Sequence, residues 1–355
     1  MTAGVVPFNG PLACLAQKVG PSLAGGNSII IKATEINPLA SLYLASLAPQ
    51  AGLPDGVLNC IVGGAEAGGA LASHPKIRKI SFTGSIATGR KIQVAAAQSN
   101  LKSVTLELGG KSPILVFPDA DQDKAVQNCI QFMFLSGQGC SLGTRLYLHE
   151  SIADEFLEKL LAVVKGAASQ LGADPFAPGT MTGPLYHHAQ RKIVLDYIES
   201  GKKQAVLLAG GNALGDKGCY VEPTIFTNPQ PDARVLREEI FGPVLVVDRF
   251  STEEEVLAKA NDTEYGLAAY LWTKDVSRAL RLGRALEAGA VITNGAGGIA
   301  PQYPSAGWKR EFLAYWRCVL VYLVRARLTI LQRVAKASRT ARRPCSIGPR
   351  GRLSC

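Results

Sequence analysis

Short runs of β-branched and apolar residues alternate with helix-like runs through most of the chain, and this alternation restricts the fold more than any other feature. In the first 110 residues, Ser28 to Lys32, Val57 to Val62, Ile77 to Phe82 and Lys102 to Leu108 read as strands. Leu39 to Ala51, Glu66 to Ser73 and Ser85 to Gln98 read as helices. Repeated strand–helix–strand units imply parallel strands with helices over both faces of the sheet, an α/β fold. The pattern resumes after Gly110. Strands are expected at Ser112 to Phe117, Arg145 to His149, Ala205 to Leu208, Val221 to Phe226, Leu245 to Val247, Ala268 to Trp272 and Ala290 to Ile292. Helices are expected at Asp121 to Leu135, Ile152 to Ala168, His187 to Ile198, Glu253 to Asn261 and Val276 to Glu287.

The formal net charge of +10 suggests an acidic partner until its distribution is considered. Glu311 is the last acidic residue, and ten Arg or Lys follow it, so residues 1 to 311 carry 28 basic and 28 acidic side chains. The main body therefore gives no support to nucleic-acid binding. Eight cysteines lie scattered, without CxxC or a nearby His at metal-ligand spacing, which reads as a reduced compartment and no metal site. The N-terminus lacks a basic segment followed by a long apolar run, so a cytoplasmic location is the default expectation. Cys318 to Val324 is too short to span a bilayer.

Several stretches carry chemistry. Phe134 to Arg145 sets Cys140 among Gly137, Gly139 and Gly143, where small residues let the backbone turn sharply and a substrate approach the sulfur. An incidental cysteine in a Gly-rich loop is the plain alternative. Glu107 lies between leucines at a strand end, an apolar setting that suits a general base. Thr83-Gly84-Ser85 sits where a strand gives way to a helix, so it reads either as a phosphate-holding turn or as a simple helix cap. Lys32 and Glu35 follow the end of a strand, where open α/β sheets bind ligands and a carboxylate can accept from ribose hydroxyls; a solvated ion pair is the alternative.

Taken together, Pro7 to Leu12, Lys32 to Glu35, Phe82 to Ser85, Leu106 to Lys111, Gly137 to Arg145 and Glu238 to Val244 resemble the motifs of the NAD(P)-dependent aldehyde dehydrogenase superfamily, in family order over residues 1 to about 309. The resemblance implies a Rossmann-like NAD-binding domain over residues 1–108 and a catalytic domain over 109–309. It implies that Cys140 is the nucleophile, that Asn9 and the Cys140 N–H form the oxyanion hole, and that Glu107 activates the hydrolytic water. Lys18 matches a position proposed to relay protons, with a surface lysine as the alternative. Lys32 and Glu35 would take the adenosine ribose, Gly84 and Ser85 the pyrophosphate, and Glu239 with Phe241 the nicotinamide end, with Leu108 a further cofactor contact. Gln190 and Lys192 fit a helix near the nicotinamide ribose. Glu35 would repel a 2′-phosphate, which favours NAD over NADP.

The departures carry a second expectation. Phe8 stands where the family has Trp, roughly the first third of a family chain is absent, and the family pattern stops after Lys309. The basic tail from 310 to 355 is expected to be disordered, and it reads as a changed reading frame or an alternative terminus. A weaker idea has it bind anionic membrane or nucleic acid. The chain is thus expected to be either an aldehyde-oxidising enzyme or a truncated, silent member that at most binds nucleotide or a full-length paralogue. A homo-oligomer is the further partner expectation. The lost family segments are expected to leave an uncovered apolar edge.

Overall fold

The computed structural model describes residues 1–295 except 175, 178, 179, 181, 182 and 216, together with 307–309 and the backbone of 312–313, 346–347 and 353–354. The chain divides into two compact units, residues 1–299 with 305–313, and residues 300–304 with 314–355.

The first unit holds two sheets. β1 (Thr2–Val5), β2 (Ile29–Ala33), β3 (Leu58–Val62), β4 (Lys79–Thr83) and β5 (Ser103–Glu107) run parallel in the order β5-β4-β1-β2-β3. Helices α1 (Pro11–Ala24), α2 (Leu39–Ser46), α3 (Ala65–Ser73) and α4 (Ile86–Ser99) connect them. The strand β2, between β1 and β3, is buried at four of its five positions, as expected of a strand covered on both faces. Its Ile29 and Ile31 pack with Val6 and Leu15 on one side of the sheet, while Ile80, Phe82, Ile92 and Leu106 form the core on the other.

In the second sheet, β6 (Ser112–Val116), β7 (Gly143–His149), β8 (Val206–Ala209), β9 (Thr224–Thr227), β10 (Val244–Phe250), β11 (Ala268–Trp272) and β12 (Ala290–Thr293) take the order β12-β11-β6-β7-β10-β9-β8. Around it lie α5 (Gln122–Cys129), α6 (Ala153–Ala168), α7 (His188–Gln204), α8 (Arg234–Arg237), α9 (Glu253–Asn261) and α10 (Val276–Ala285). Phe132, Phe156, Leu160 and Trp272 are buried in its main core. The short strand β13 (Phe312–Leu313) pairs antiparallel with β5, Phe312 opposite Glu107. The second unit contains the antiparallel pair β14 (Ser346–Ile347) and β15 (Leu353–Ser354). The rest of the tail expected to be disordered lies outside the described residues.

Several elements differ from the sequence expectation. The strand β1 and helix α1 gave no clear signal, because Gly20 and Pro21 interrupt the helical pattern. Burial of Leu15 against the first sheet overrides that interruption. The helix expected over Leu39 to Ala51 ends at Ser46, in keeping with Pro49, which lacks an N–H and disfavours helix before it. The helix expected over Asp121 to Leu135 ends at Cys129 and tightens into a 3₁₀ segment that breaks at Phe134. β8 runs antiparallel to β9, so the second sheet is mixed rather than purely parallel. Among the described residues, no helix is long and apolar enough to cross a membrane.

Candidate active site

The chain passes directly from the C-terminal end of β5 into the N-terminal end of β6, through Leu108-Gly109-Gly110-Lys111. That joint brings the C-terminal ends of the first sheet, where ligands of open α/β sheets bind, against the N-terminal ends of β6, β7 and β10. The sequence-derived site residues fall on both sides of it.

Cys140 lies in the turn before β7. Leu135, Ser136 and Gly137 take positive φ values of 50°, 53° and 73° in succession. Such a turn costs conformational energy and persists only where contacts over-determine it. Here the Gln138 N–H and side-chain amide both donate to the Leu135 carbonyl, at 3.1 and 2.9 Å, and Ser136 Oγ donates to the Gly183 carbonyl. A Cβ on Gly137 would overlap the Gly242 carbonyl, and one on Gly110 would overlap the Cys140 carbonyl. The glycines therefore admit close backbone contacts that no other residue allows. Cys140 keeps some exposure, yet burial dominates and pushes its thiol up to about 12, with the charges of Glu239 and Glu107 adding to the rise. In this form the sulfur is protonated at neutral pH, which departs from the thiolate expected for a nucleophile.

Asn9 precedes α1, and its Nδ2 donates to the Gln138 carbonyl at 2.8 Å, across 129 residues of sequence. A primary amide has two N–H groups, so one remains for a ligand. Lys18, eight residues into α1, is buried rather than on the surface. Its ammonium donates to Ser81 Oγ at 3.0 Å and Thr83 Oγ1 at 2.8 Å at the end of β4. Desolvation lowers its pKa to about 8, partly offset by Cys14 and Glu107. Glu107 ends β5 half-buried, its carbonyl accepting from the Gly84 N–H at 3.0 Å, and lies within electrostatic reach of Lys18, Cys14 and Cys140.

Glu239 Oε1 accepts from the Gly110 N–H at 3.1 Å, and a Cβ on Gly109 would overlap the same carboxylate. Phe241, at φ 55°, is held by Gln190, whose amide donates to the Ile240 and Phe241 carbonyls at 3.1 and 3.0 Å. Lys192 is exposed on the same helix. Leu108 is buried and packs where Gly89 leaves room on α4.

At the other end of the joint, Lys32 is buried and donates to the Gly63 and Ala33 carbonyls, so it is not a solvated partner of Glu35. Glu35 is exposed, with Oε1 3.3 Å from where a Cβ on Gly64 would stand. The absence of that Cβ opens the approach to the carboxylate. Ser85 caps α4, its Oγ accepting from the Thr88 N–H at 3.4 Å, which matches the helix-cap reading; the first turn of α4 still presents its N–H groups beside Gly84.

Four contributors escaped the sequence reading. Gln138 orders the Cys140 turn and receives Asn9. Tyr186 donates its N–H to Gln138 Oε1 at 3.0 Å. Cys14 faces the same cluster of charges as Cys140. Lys111 is fully buried behind Glu239, its pKa lowered to about 7 by desolvation and Arg145 against the pull of Glu239 and Glu238. Only a cysteine four residues before a lysine, and a lysine after two glycines, marked the last two in sequence. Among the described residues, no cluster of His, Cys, Asp or Glu fits a metal ion.

The joint between the two sheets thus gathers a thiol, two carboxylates and a buried lysine, an arrangement that by itself leaves several kinds of α/β protein open. Comparison with known proteins narrows the choice. The family model described as "Aldehyde dehydrogenase family" matches residues 1–313. A mitochondrial aldehyde dehydrogenase family 2 member B4 from Arabidopsis thaliana is 48% identical over 293 residues, 82% of this chain and 54% of that protein. A cytosolic aldehyde dehydrogenase 1 from Rattus norvegicus is 46% identical over 308 residues, 86% of this chain and 61% of its own length. A solved indole-3-acetaldehyde dehydrogenase from P. syringae, in complex with NAD+, superimposes with a TM-score of 0.84 at 40% identity, over 88% of this chain and 64% of that one. The chain belongs to the aldehyde dehydrogenase family. It spans less than two thirds of the length of these relatives.

Proposed function

We propose that the chain oxidises an aldehyde to a carboxylic acid, with NAD as hydride acceptor, through covalent catalysis at Cys140. The observation that carries this reading is the convergence of Cys140, Glu107, Asn9 and Lys18 on one joint between two sheets. In this reading residues 1–108 form the cofactor domain and 109–309 the catalytic domain.

The Cys140 sulfur attacks the aldehyde carbonyl, and the resulting oxyanion accepts from the free N–H of Asn9 and from the Cys140 backbone N–H. Lys32 and Glu35 hold the adenosine ribose, Gly84 and Ser85 the pyrophosphate, and Glu239, Phe241, Gln190 and Lys192 the nicotinamide end, with Leu108 a further cofactor contact. When bound, the oxidised cofactor supplies a cationic ring, which lowers the thiol's pKa, and the acceptor for a hydride. The thioester left on Cys140 is hydrolysed by a water whose proton Glu107 takes. Lys18 passes protons between Glu107 and the hydroxyls of Ser81 and Thr83, a role supported by its lowered pKa and its bonds to both hydroxyls. The exposed carboxylate of Glu35 favours NAD over NADP, because a 2′-phosphate would meet a like charge.

The second reading is a catalytically silent member that binds nucleotide or a longer paralogue. Absorbance of NADH formed from NAD and a panel of aliphatic and aromatic aldehydes separates the two. Turnover by wild type, abolished in Cys140→Ala with NAD binding intact, is expected; Glu107→Gln is expected to accumulate acyl-enzyme after one turnover. Folded protein that binds NAD without turnover supports the silent reading. Exposed Leu39 and Tyr43 on α2 and Val94 on α4 support self-association or pairing with a paralogue, which light scattering measures. A cytosolic setting is supported by free Cys14, Cys60, Cys129, Cys140 and Cys219 and by the cytosolic relative; the mitochondrial relative makes fractionation the test.

A further inference from the structure

Tyr186 has no part in the chemistry above, yet it contacts the Cys140 end of the site and lies within electrostatic reach of Glu35 at the other. Its ring stacks on Phe8 with centroids 3.6 Å apart and planes inclined by 26°. Phe8 in turn meets Phe241 edge-on at 6.0 Å. The Tyr186 N–H is fixed by Gln138, the residue that also receives Asn9. On the other side, Asn37 Nδ2 donates to the Phe8 carbonyl at 2.7 Å, which ties the loop carrying Glu35 to the same aromatic pair. The Tyr186 hydroxyl lies within electrostatic reach of Glu35, and that charge, after burial, raises its pKa.

The ring is fixed and its tip is not. Tyr186 is 37% exposed, and among the described residues its hydroxyl makes no hydrogen bond. A stacked phenol with an unpaired tip offers an apolar wall and one directed donor. Phe8 and Phe241 supply no side-chain donor, and Glu35 can only accept. A dinucleotide passing from Glu35 to Phe241 presents ribose and phosphate oxygens along that path, and these need donors.

We propose that Tyr186 is a further dinucleotide-binding residue: its ring, stacked on Phe8, walls the groove between Glu35 and Phe241, and its hydroxyl donates to an oxygen of the cofactor's ribose–phosphate backbone. The assignment rests on the NAD reading given above.

Isothermal titration of NAD into wild type, Glu35→Gln, Tyr186→Phe and Tyr186→Leu tests it without turnover. Tyr186→Leu, which loses both stack and donor, is expected to raise the Kd about tenfold, and Tyr186→Phe, which keeps the stack, about threefold to fivefold. Thermal melting identifies any variant that does not fold, and Tyr186→Phe alone then decides, since it leaves the Phe8 contact in place. Wild-type affinity in both Tyr186 variants, with binding weakened in Glu35→Gln, overturns the assignment and leaves the NAD reading standing. A wild-type chain that binds no NAD overturns both.

Discussion

The two ends of the joint between the sheets are built to different tolerances. Around Cys140, a methyl group on Gly110 or Gly137 would overlap the Cys140 or the Gly242 carbonyl. Around Glu35, a methyl on Gly64 would meet only the tip of a flexible carboxylate and one on Gly63 the Ala67 side chain, while one on Gly69 would meet nothing within 4 Å. Backbone cannot yield as a side-chain tip can. The difference follows from what each end has to do in the proposed reaction: covalent chemistry needs reacting atoms held within a fraction of an ångström, whereas a ribose can be gripped by side chains that adjust. The Cys140 end is accordingly expected to respond to substitution by losing structure and rate together, and the Glu35 end by changing affinity alone.

The hardest test is Gly137→Ala. Alanine at φ 73° is strained, and its Cβ would also stand 2.7 Å from the Pro243 nitrogen. Both penalties act on backbone, so a loss of at least about 3 kcal/mol in urea unfolding is expected. Loss of NADH formation should accompany it. Should Gly137→Ala melt like wild type, the tight end would not be tight, and the contrast between the two ends would collapse.

A second test asks what holds Glu239 against Gly110. Lys111 lies buried behind that carboxylate, with a pKa lowered to about 7, while the unfolded chain keeps the proton until about 10.4. Between those values the unfolded state binds more protons, so stability rises with pH; below about 7 both states are protonated and the cost of burying the charge is constant. Relative to Lys111→Met, the wild type should therefore gain about 2 kcal/mol between pH 7 and pH 9 in urea unfolding. Parallel pH profiles for the two proteins would mean that Lys111 is not the buried charge that tensions this end.

Much of this frame could be read from the chain, and what could not has a common cause. The bounds of α9 and β11 match their apolar periodicity, and the glycines around Cys140 announced a sharp turn. The helix α1 stayed hidden because Gly20 and Pro21 weaken the local signal, and only packing against Ile29 and Ile31 restores it. The roles of Gln138 and Tyr186 were illegible for a different reason. Their bonds join residues 48 and 129 positions apart, and no local pattern encodes a contact made by two sheets meeting. The surface alternatives for Lys18 and Lys32 failed similarly: each ammonium is buried by strands distant in sequence.

The smallest expected effect probes the slack end. Gly69 lies inside α3, exposed, in ordinary helical geometry and with open space where a Cβ would be. Its only consequence there is a more flexible unfolded chain and a weaker helix. Gly69→Ala should therefore stabilise the protein by about 0.5–1 kcal/mol, read as a raised melting temperature, with the Kd for NAD unchanged. The neighbouring Gly68 makes the control, since a methyl there would touch the Lys32 side chain at an ordinary 3.9 Å and alter the footing of a proposed ribose contact. A stabilising Gly69→Ala with unchanged affinity separates helix strength from ligand grip at this end. A destabilising one would mean that the space beside α3 is needed by a neighbour, and the Glu35 end would then be as constrained as the Cys140 end.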